Sequence, residues 1–92
     1  MSETKSYRVE IEPEAWDALM KLPTREADRI FAVIEKLEVE PRPSGVVKLA
    51  GEDRSYRVRS GNYRVVYDLF DDVLLVLVLK VAKRGEVYRK RK

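Results

Sequence analysis

The chain has 92 residues, of which 45% are hydrophobic, and it contains no cysteine and no histidine. This length suits one small domain spanning residues 1–92, and the composition excludes disulfides, thiolate metal sites, and histidine as a metal ligand or general acid–base group. The net charge of +3 is uneven, because residues 1–46 hold 7 Lys and Arg against 10 Asp and Glu, whereas residues 47–92 hold 12 against 6.

The first half of the chain predicts a strand followed by two helices. Residues 7–11 alternate as a short strand does, and Pro13 suits the first turn of a helix. Apolar residues then recur at helical spacing, namely Ala15, Trp16, Leu19 and Leu22. We assign Trp16 to the core, with anchoring of a partner helix as the alternative. Pro23 ends this helix, Thr24 is the predicted N-cap of the second, and the second helix is predicted to bury Ala27, Ile30, Phe31, Ile34 and Leu37.

The second half predicts three strands. A turn-rich connection at residues 41–45 leads, through residues 48–51, into two alternating runs that meet at Gly61-Asn62 as a β-hairpin. Asp71-Asp72 marks a second turn, and the apolar run 73–79 indicates a central strand covered on both faces. The predicted fold is α+β in the order β-α-α-β-β-β. It is a small, mostly antiparallel sheet with a helical hairpin packed on one face, and the position of the first strand stays open.

The hairpin sorts its side chains by face. Tyr56 and Val58 share one face, and Arg57 and Arg59 share the other, where Arg64 of the second run can join them. Guanidinium is a planar, charged fork that suits phosphate. The pattern therefore predicts an exposed arginine cluster that binds a phosphate-bearing polymer. The alternative is a cationic strand face that resists aggregation.

The residues after the last strand extend this candidate site. Lys83-Arg84 follows the strand directly, Gly85 permits a sharp turn, and we expect Arg84 to join the arginine cluster. Tyr88 can exchange a proton or stack on a base, with a hydrophobic plug as its alternative role. The remaining candidate RNA-binding residues are Lys48, Arg54, Lys83 and Arg89.

The order of these motifs resembles the RelE branch of the RelE/ParE toxin superfamily over essentially the whole chain. The resemblance is carried by Lys48-Leu49-x-Gly51, Tyr56-Arg57-Val58-Arg59, Gly61-x-Tyr63-Arg64-Val65-x-Tyr67, the apolar strand, and Lys83-Arg84 with Tyr88. It implies a RelE-like toxin of a type II toxin–antitoxin system that cleaves mRNA in the ribosomal A site, through attack of the RNA's own 2′-OH and without a metal or other cofactor. The implied catalytic set is Arg57, Arg59, Arg64, Arg84 and Tyr88, with Arg64 and Arg84 stabilising phosphate and Tyr88 stacking on or orienting the cut nucleotide.

The resemblance also implies partners. They are a RelB-like antitoxin that wraps the toxin, in an assembly that can be a heterotetramer, and the ribosome with bound mRNA. No apolar run in the sequence is long enough to span a membrane, and the N-terminus shows no signal-peptide pattern. We therefore expect no membrane partner, and the absence of cysteine leads us to expect a cytoplasmic protein.

One departure from the family concerns proton transfer. Family members place proton-transferring lysines where this chain has Arg57 and Arg59, and arginine is a poor proton carrier. The open alternatives for the proton-transferring group are Tyr88, Lys83 and a group on the ribosome. A further alternative is a reaction that largely dispenses with proton transfer. Two other functions also stay open: a ParE-like protein that poisons DNA gyrase and cleaves nothing, and a toxin scaffold without activity.

Overall fold

The computed structural model describes residues 6–83, which contain two helices and five strands. In chain order these elements are β1 (Arg8–Ile11), α1 (Pro13–Met20), α2 (Thr24–Lys36), β2 (Val47–Lys48), β3 (Ser55–Ser60), β4 (Tyr63–Phe70) and β5 (Leu75–Lys83). The predicted order of elements is confirmed, with the addition of β2. That strand was not predicted, because two exposed residues at a sheet edge carry no periodic signal.

The described strands form one sheet in the order β1-β5-β4-β3-β2. The last three strands form the predicted antiparallel meander, and β1 joins it by pairing parallel with β5. Gly61, with a φ of +61°, supplies the left-handed conformation at the tight β3–β4 turn. The central strand of this sheet is therefore β4, which has hydrogen-bonded neighbours on both sides along its length.

Both helices pack on one face of the sheet. From α1 this contact buries Ala15 and Leu19, and from α2 it buries Ala27, Ile30 and Ile34, with Leu37 just beyond the helix end. The sheet contributes Val58, Val65, Tyr67, Leu69, Val76, Val78 and Val81 to the same core. Burying each large aliphatic side chain of this kind stabilises the fold by about 1.5–3 kcal/mol relative to exposure, before the entropy of ordering is subtracted.

The first residue of α1 is the one that the sequence predicts, whereas α2 begins one residue earlier than predicted. Pro13 is the first residue of α1, as predicted. Thr24 is not an N-cap but the first helical residue of α2, and Pro23 occupies the cap position with extended backbone. Pro23 satisfies the cap conformation because its ring already fixes φ near the required value. No helix within residues 6–83 is long and apolar enough to cross a membrane.

The strand predicted at residues 73–79 begins later and ends later than expected. Residues 71–74 form a turn in which Leu74 has a φ of +52°, so that β5 starts at Leu75. Within the predicted range, the helices bury Val76 and Val78, whereas Leu75 and Leu77 on the other face are only half-buried. The prediction of a strand covered on both faces is therefore wrong.

Candidate nucleic-acid interface

The sheet face opposite the helices, which we call the open face, carries the arginines of the β3–β4 hairpin. Residues directly across from one another on neighbouring strands share a face. Two adjacent cross-strand rows hold the cluster, and we call them the cationic rows: Arg59, Arg64 and Ala82 in the first, and Arg57, Val66 and Lys80 in the second. The register thus brings the three arginines to one surface, as the hairpin pattern predicts. Their part in catalysis stays a prediction.

The three arginines differ in burial. Arg59 is exposed, Arg57 is half-buried, and Arg64 is only 7% exposed. The prediction that Arg64 is exposed is wrong, because it lies on the central strand and has a neighbouring strand on each side. Within residues 6–83, no buried side-chain nitrogen or oxygen lacks a hydrogen-bond partner. No fully buried nitrogen of Arg64 is therefore left without a hydrogen-bond partner.

The pairing of Arg59 with Arg64 suits an anion. Directly opposed residues place their Cβ atoms about 5 Å apart, and like charges on directly opposed residues are destabilising. An anion that contacts both guanidinium groups removes this repulsion and gains charge-assisted hydrogen bonds. Because Arg64 is already ordered by burial, little conformational entropy is lost when it binds such an anion.

The register does not bring Lys48 and Lys83 to the cationic rows. Lys48 is paired with Tyr56, and Lys83 with Tyr63. Both tyrosines pack against the core, so these two lysines occupy register positions on the helix-covered side of the sheet. Sequence reasoning placed them by their order in the chain and could not resolve their face.

Arg54 lies at the other end of the sheet. Its guanidinium carbon is 4.7 Å from the centroid of the Phe70 ring, beside an open cavity of about 300 Å³. The cavity is lined by Asp53, Arg54, Leu69, Phe70, Asp71 and Asp72. Three carboxylates make this end unfavourable for phosphate. The candidate residues Arg84, Tyr88 and Arg89 lie outside the described residues, and their roles stay predictions.

Comparison with known proteins places the chain in a family. Residues 9–88 match the family model described as the ParE toxin of the type II toxin–antitoxin system parDE. The chain belongs to this RelE/ParE toxin superfamily. The toxin is 30% identical over 86 residues to the RelE1 toxin of Methanocaldococcus jannaschii, a match that covers 90% of this chain and 96% of the relative.

Solved structures of RelE proteins share the fold of this toxin. The archaeal RelE–RelB complex from Pyrococcus horikoshii has a RelE chain that is 35% identical with a TM-score of 0.79, over 87% of this chain and 97% of that one. The isolated Escherichia coli RelE toxin is 28% identical with a TM-score of 0.75, over 90% of this chain and 92% of that one. The family model thus carries the ParE name, whereas these relatives carry the RelE name.

The toxin also contains a charged network that sequence reasoning missed, at the end of the sheet away from Gly61. Asp71 accepts hydrogen bonds from the Tyr7 hydroxyl and from an Arg42 guanidinium nitrogen, each at 2.7 Å. Arg42 also donates to the Tyr56 hydroxyl at 3.1 Å, and the Tyr56 ring stacks on Tyr67 with centroids 5.9 Å apart. These contacts connect the residues before β1, the α2–β2 connection, β3 and the β4–β5 turn.

The network changes the pKa of its members in the directions expected for an ion pair. The hydrogen bond from Arg42, and then that from Tyr7, lowers the pKa of the Asp71 carboxyl below its ordinary value. The hydrogen bond to Asp71 in turn raises the pKa of Tyr7. Burial raises the pKa of Tyr67, whose hydroxyl donates to the Pro41 carbonyl at 2.6 Å. Contacts between residues so distant in sequence leave no spacing signal in the chain.

The outer surface of the helices exposes apolar side chains. Trp16 is 44% exposed and Met20 is 57% exposed, although the ring of Trp16 makes an edge contact with Phe31 at a centroid distance of 5.7 Å. The core assignment of Trp16 is wrong, because the eight residues of α1 turn only Ala15 and Leu19 fully toward the sheet. Trp16 and Met20, one helical turn apart, define what we call the α1 surface.

Proposed function

We propose that this toxin is a metal-independent endoribonuclease that cleaves mRNA in the ribosomal A site by attack of the 2′-OH on the adjacent phosphate. This reaction needs a proton acceptor at the 2′-OH, a proton donor at the leaving 5′-oxygen, and cations around the charge that develops on phosphorus. The observation that supports it best is the pair Arg59–Arg64, with Arg57 in the next row, on one rigid face.

Each described arginine has a distinct role in this proposal. Arg64, fixed by burial, holds the scissile phosphate and stabilises its transition-state charge. Arg59, exposed directly across the hairpin, contacts the same phosphate from the β3 side. Arg57 contacts a neighbouring phosphate in the second row. By resemblance, Arg84 adds a second phosphate contact and Tyr88 orients the cut nucleotide.

Proton transfer explains why we expect ribosome dependence. The sequence has no histidine, and the cationic rows offer arginine where the family uses proton-transferring lysines. Because Lys83 occupies a register position on the helix-covered side of the sheet, Tyr88 and ribosomal groups are the remaining sources, and the ribosome also fixes the RNA for in-line attack. A toxin of this kind cuts aligned mRNA quickly and free RNA slowly or not at all.

The experiment that tests the proposal compares the two substrates directly. Purified toxin is incubated with one labelled mRNA, either free or programmed into ribosomes with an empty A site, and the 5′ ends of the products are mapped. We expect cuts in the A-site codon of the programmed mRNA only. Equal cleavage of both substrates contradicts ribosome dependence, and intact mRNA in both contradicts the nuclease assignment.

The ParE name of the matching family model favours a second candidate, a toxin that poisons DNA gyrase without cleaving RNA. A gyrase assay with the same preparation separates the two functions. Inhibition of supercoiling at toxin concentrations that leave programmed mRNA intact supports the ParE-like function. Cleaved mRNA with unaffected supercoiling supports the RelE-like function.

Several related structures are RelE–RelB complexes, and we propose an antitoxin of RelB type for this toxin as well. We expect an amphipathic antitoxin helix to bury apolar side chains, with the α1 surface as one contact, and acidic residues of the antitoxin to approach Arg64 and Arg84. Apolar burial then supplies most of the affinity, and charge mainly speeds association.

This partner is expected to be encoded beside the toxin gene, and its binding can be measured with two matched variants. Trp16→Ala should raise the dissociation constant by roughly 30-fold, as the loss of an aromatic anchor does. Val73→Ala, which shortens another exposed apolar residue at the β4–β5 turn, is the control and should bind normally. Equal binding by both variants excludes the α1 surface, and absence of any binding neighbour excludes the antitoxin assignment.

A further inference from the structure

Lys80 reaches the open face because β5 contains a bulge. Plain alternation from Val76 and Val78 assigns Lys80 to the helix-covered face. The register, however, pairs Tyr67 with Val78 and Val66 with Lys80, so that one extra residue, Leu79, lies in β5 at this point. A bulge of this kind reverses the side-chain phase of the strand beyond it. The cationic rows therefore gain a lysine that the sequence pattern assigns to the other face.

The position of Lys80 places it beside the buried arginine. Lys80 is two residues before Ala82, the direct partner of Arg64, and is thus the diagonal neighbour of Arg64 on β5. Diagonal neighbours in an antiparallel pair lie about 7–8 Å apart, within the reach of long side chains. Arg57 holds the equivalent diagonal position on β3. Arg64 is therefore flanked by a cation on each adjacent strand.

The surroundings of Lys80 suit an anionic ligand. Lys80 is exposed, and no ion pair within residues 6–83 includes it. The nearest carboxylate along the open face of β4 is Asp68, in the row beyond Val66, and it accepts a hydrogen bond from the Ser55 hydroxyl at 2.5 Å. Lys80 is the only lysine at an open-face position of the described strands.

We propose that Lys80 binds the RNA phosphate next to the one held by Arg64, and so fixes the path of the RNA across β5. This inference rests on the proposed function for its substrate, because the same cationic rows hold the scissile phosphate in both. A lysine ammonium is a compact point charge with three donors and adjusts to a phosphate whose orientation is not fixed. The rigid forks of Arg59 and Arg64 instead define the position of the reacting phosphate.

The test measures binding separately from cleavage. The probe is a labelled single-stranded 2′-O-methyl oligoribonucleotide, which cannot be cut because its 2′-oxygens are blocked. Lys80→Met keeps the length of the side chain and removes its charge, whereas Lys80→Arg keeps the charge. Lys36→Met removes an exposed charge from α2, on the helix side of the sheet, and is the matched control. Binding is measured across a salt series, with thermal melting to verify the fold.

We expect Lys80→Met to weaken binding roughly tenfold at physiological salt and to lower the salt slope by about 0.7, the value for one lost phosphate contact on a single strand. Lys80→Arg and Lys36→Met should keep the slope of the unmodified toxin. An unchanged slope for Lys80→Met overturns the inference, even if affinity falls, because a phosphate contact must release counterions. Loss of slope in Lys80→Arg also overturns it, and so does failure of the unmodified toxin to bind the probe at low salt.

The same variants distinguish this inference from the proposed function. If the unmodified toxin leaves programmed mRNA intact but Lys80→Met lowers the salt slope, the nuclease assignment fails and the phosphate contact stands. If the unmodified toxin cleaves mRNA and Lys80→Met binds and cleaves like it, the phosphate contact fails and the nuclease assignment stands.

Discussion

At the Gly61 end of the sheet, Arg57, Arg59 and Arg64 occupy two rows whose six positions include no acidic residue. At the opposite end, Arg42 lies 2.7 Å from a carboxylate oxygen of Asp71. Arg8, on β1, likewise lies 3.1 Å from Glu10. The same residue type thus shares its cross-strand rows with other cations at one end and contacts acidic side chains at the other.

This difference distinguishes the arginines that can bind a ligand from those that connect structural elements of the same small sheet. An arginine beside a carboxylate has its charge neutralised and stabilises the connection between elements, although an exposed pair contributes little. Arginines that share a face with other cations create a positive potential, which costs stability and attracts a polyanion. Among the described residues, contact with a carboxylate therefore identifies Arg42 and Arg8 as structural arginines, although both are exposed.

The largest expected effect comes from exchanging the buried arginine for an apolar residue of similar length. Arg64→Met should lower the cleavage rate on programmed ribosomes by roughly 10²-fold, because it removes a preorganised donor from the transition state. Growth arrest on induction should disappear with it. Arg42→Met is the matched change at the other end and should retain cleavage while melting at a slightly lower temperature.

The two variants together decide whether the ends differ in function. Equal loss of cleavage in both contradicts the division between a binding end and a structural end. If Arg64→Met melts like the unmodified toxin and still arrests growth fully, Arg64 is not part of the functional site. Because Arg64 is 7% exposed, its replacement also needs a melting curve before any loss is assigned to chemistry.

The exposed partner of this pair should show a smaller effect without a stability cost. Arg59→Ala is expected to slow cleavage roughly tenfold, because one charge-assisted contact to phosphate is lost. Its melting temperature should stay unchanged, since Arg59 is exposed. Single-turnover rates and melting curves on the same sample check both expectations. A large fall in melting temperature indicates that Arg59 supports the hairpin instead.

Much of the fold could be predicted from local patterns, and the failures have physical causes. Apolar spacing located both helices, and Gly61 located the hairpin turn. Strand β5 shifted because residues 71–74 are needed to reverse the chain, so apolar Val73 lies in the turn, 57% exposed. The edge strand β2 exists only because β3 offers it a partner.

The candidate site was predictable where alternation is regular and not where it is interrupted. Arg57, Arg59 and Arg64 came together because β3 and β4 pair without interruption from the turn to Val66. Lys80 was missed because a bulge changes its face, and a bulge depends on pairing between strands. The spacing of the buried residues Val76, Val78 and Val81 changes from two to three, but the sequence does not reveal this change because residues 75–79 are all apolar.

At the structural end of the sheet, the buried hydroxyl of Tyr67 should matter more than the surface ion pair. Tyr67→Phe removes the 2.6 Å hydrogen bond to the Pro41 carbonyl. We expect a loss of about 1 kcal/mol in the free energy of unfolding, or a fall of about 4–8 °C in melting temperature, with normal cleavage. Tyr63→Phe, at a half-buried tyrosine of the same strand, is the control and should melt normally. If both variants melt at the same temperature, the hydrogen bond of Tyr67 does not contribute to the stability of the fold.

The smallest effect concerns Asp71, and its pH dependence has a definite sign. The pKa of Asp71 is lower in the folded toxin than its ordinary value of about 3.9, so the folded state binds this proton less readily than the unfolded state. The contribution to stability is complete above the ordinary pKa and is lost as the pH falls through the lowered one. Its size should be about 0.5 kcal/mol, since the Arg42 and Asp71 side chains are 45% and 54% exposed.

Asp71→Asn should therefore melt below the unmodified toxin at pH 6, and this difference should shrink as the pH falls through the lowered pKa of Asp71, because asparagine does not titrate. Asp72→Asn, which removes a carboxylate from the same turn, is the control and should match the unmodified toxin at pH 6. Salt at 1 M should reduce this difference in melting temperature at pH 6, because the ion pair is exposed and salt screens it. If the difference in melting temperature is as large at pH 2 as at pH 6, the effect of Asp71 comes from turn geometry. In that case the ion pair does not stabilise this end of the sheet.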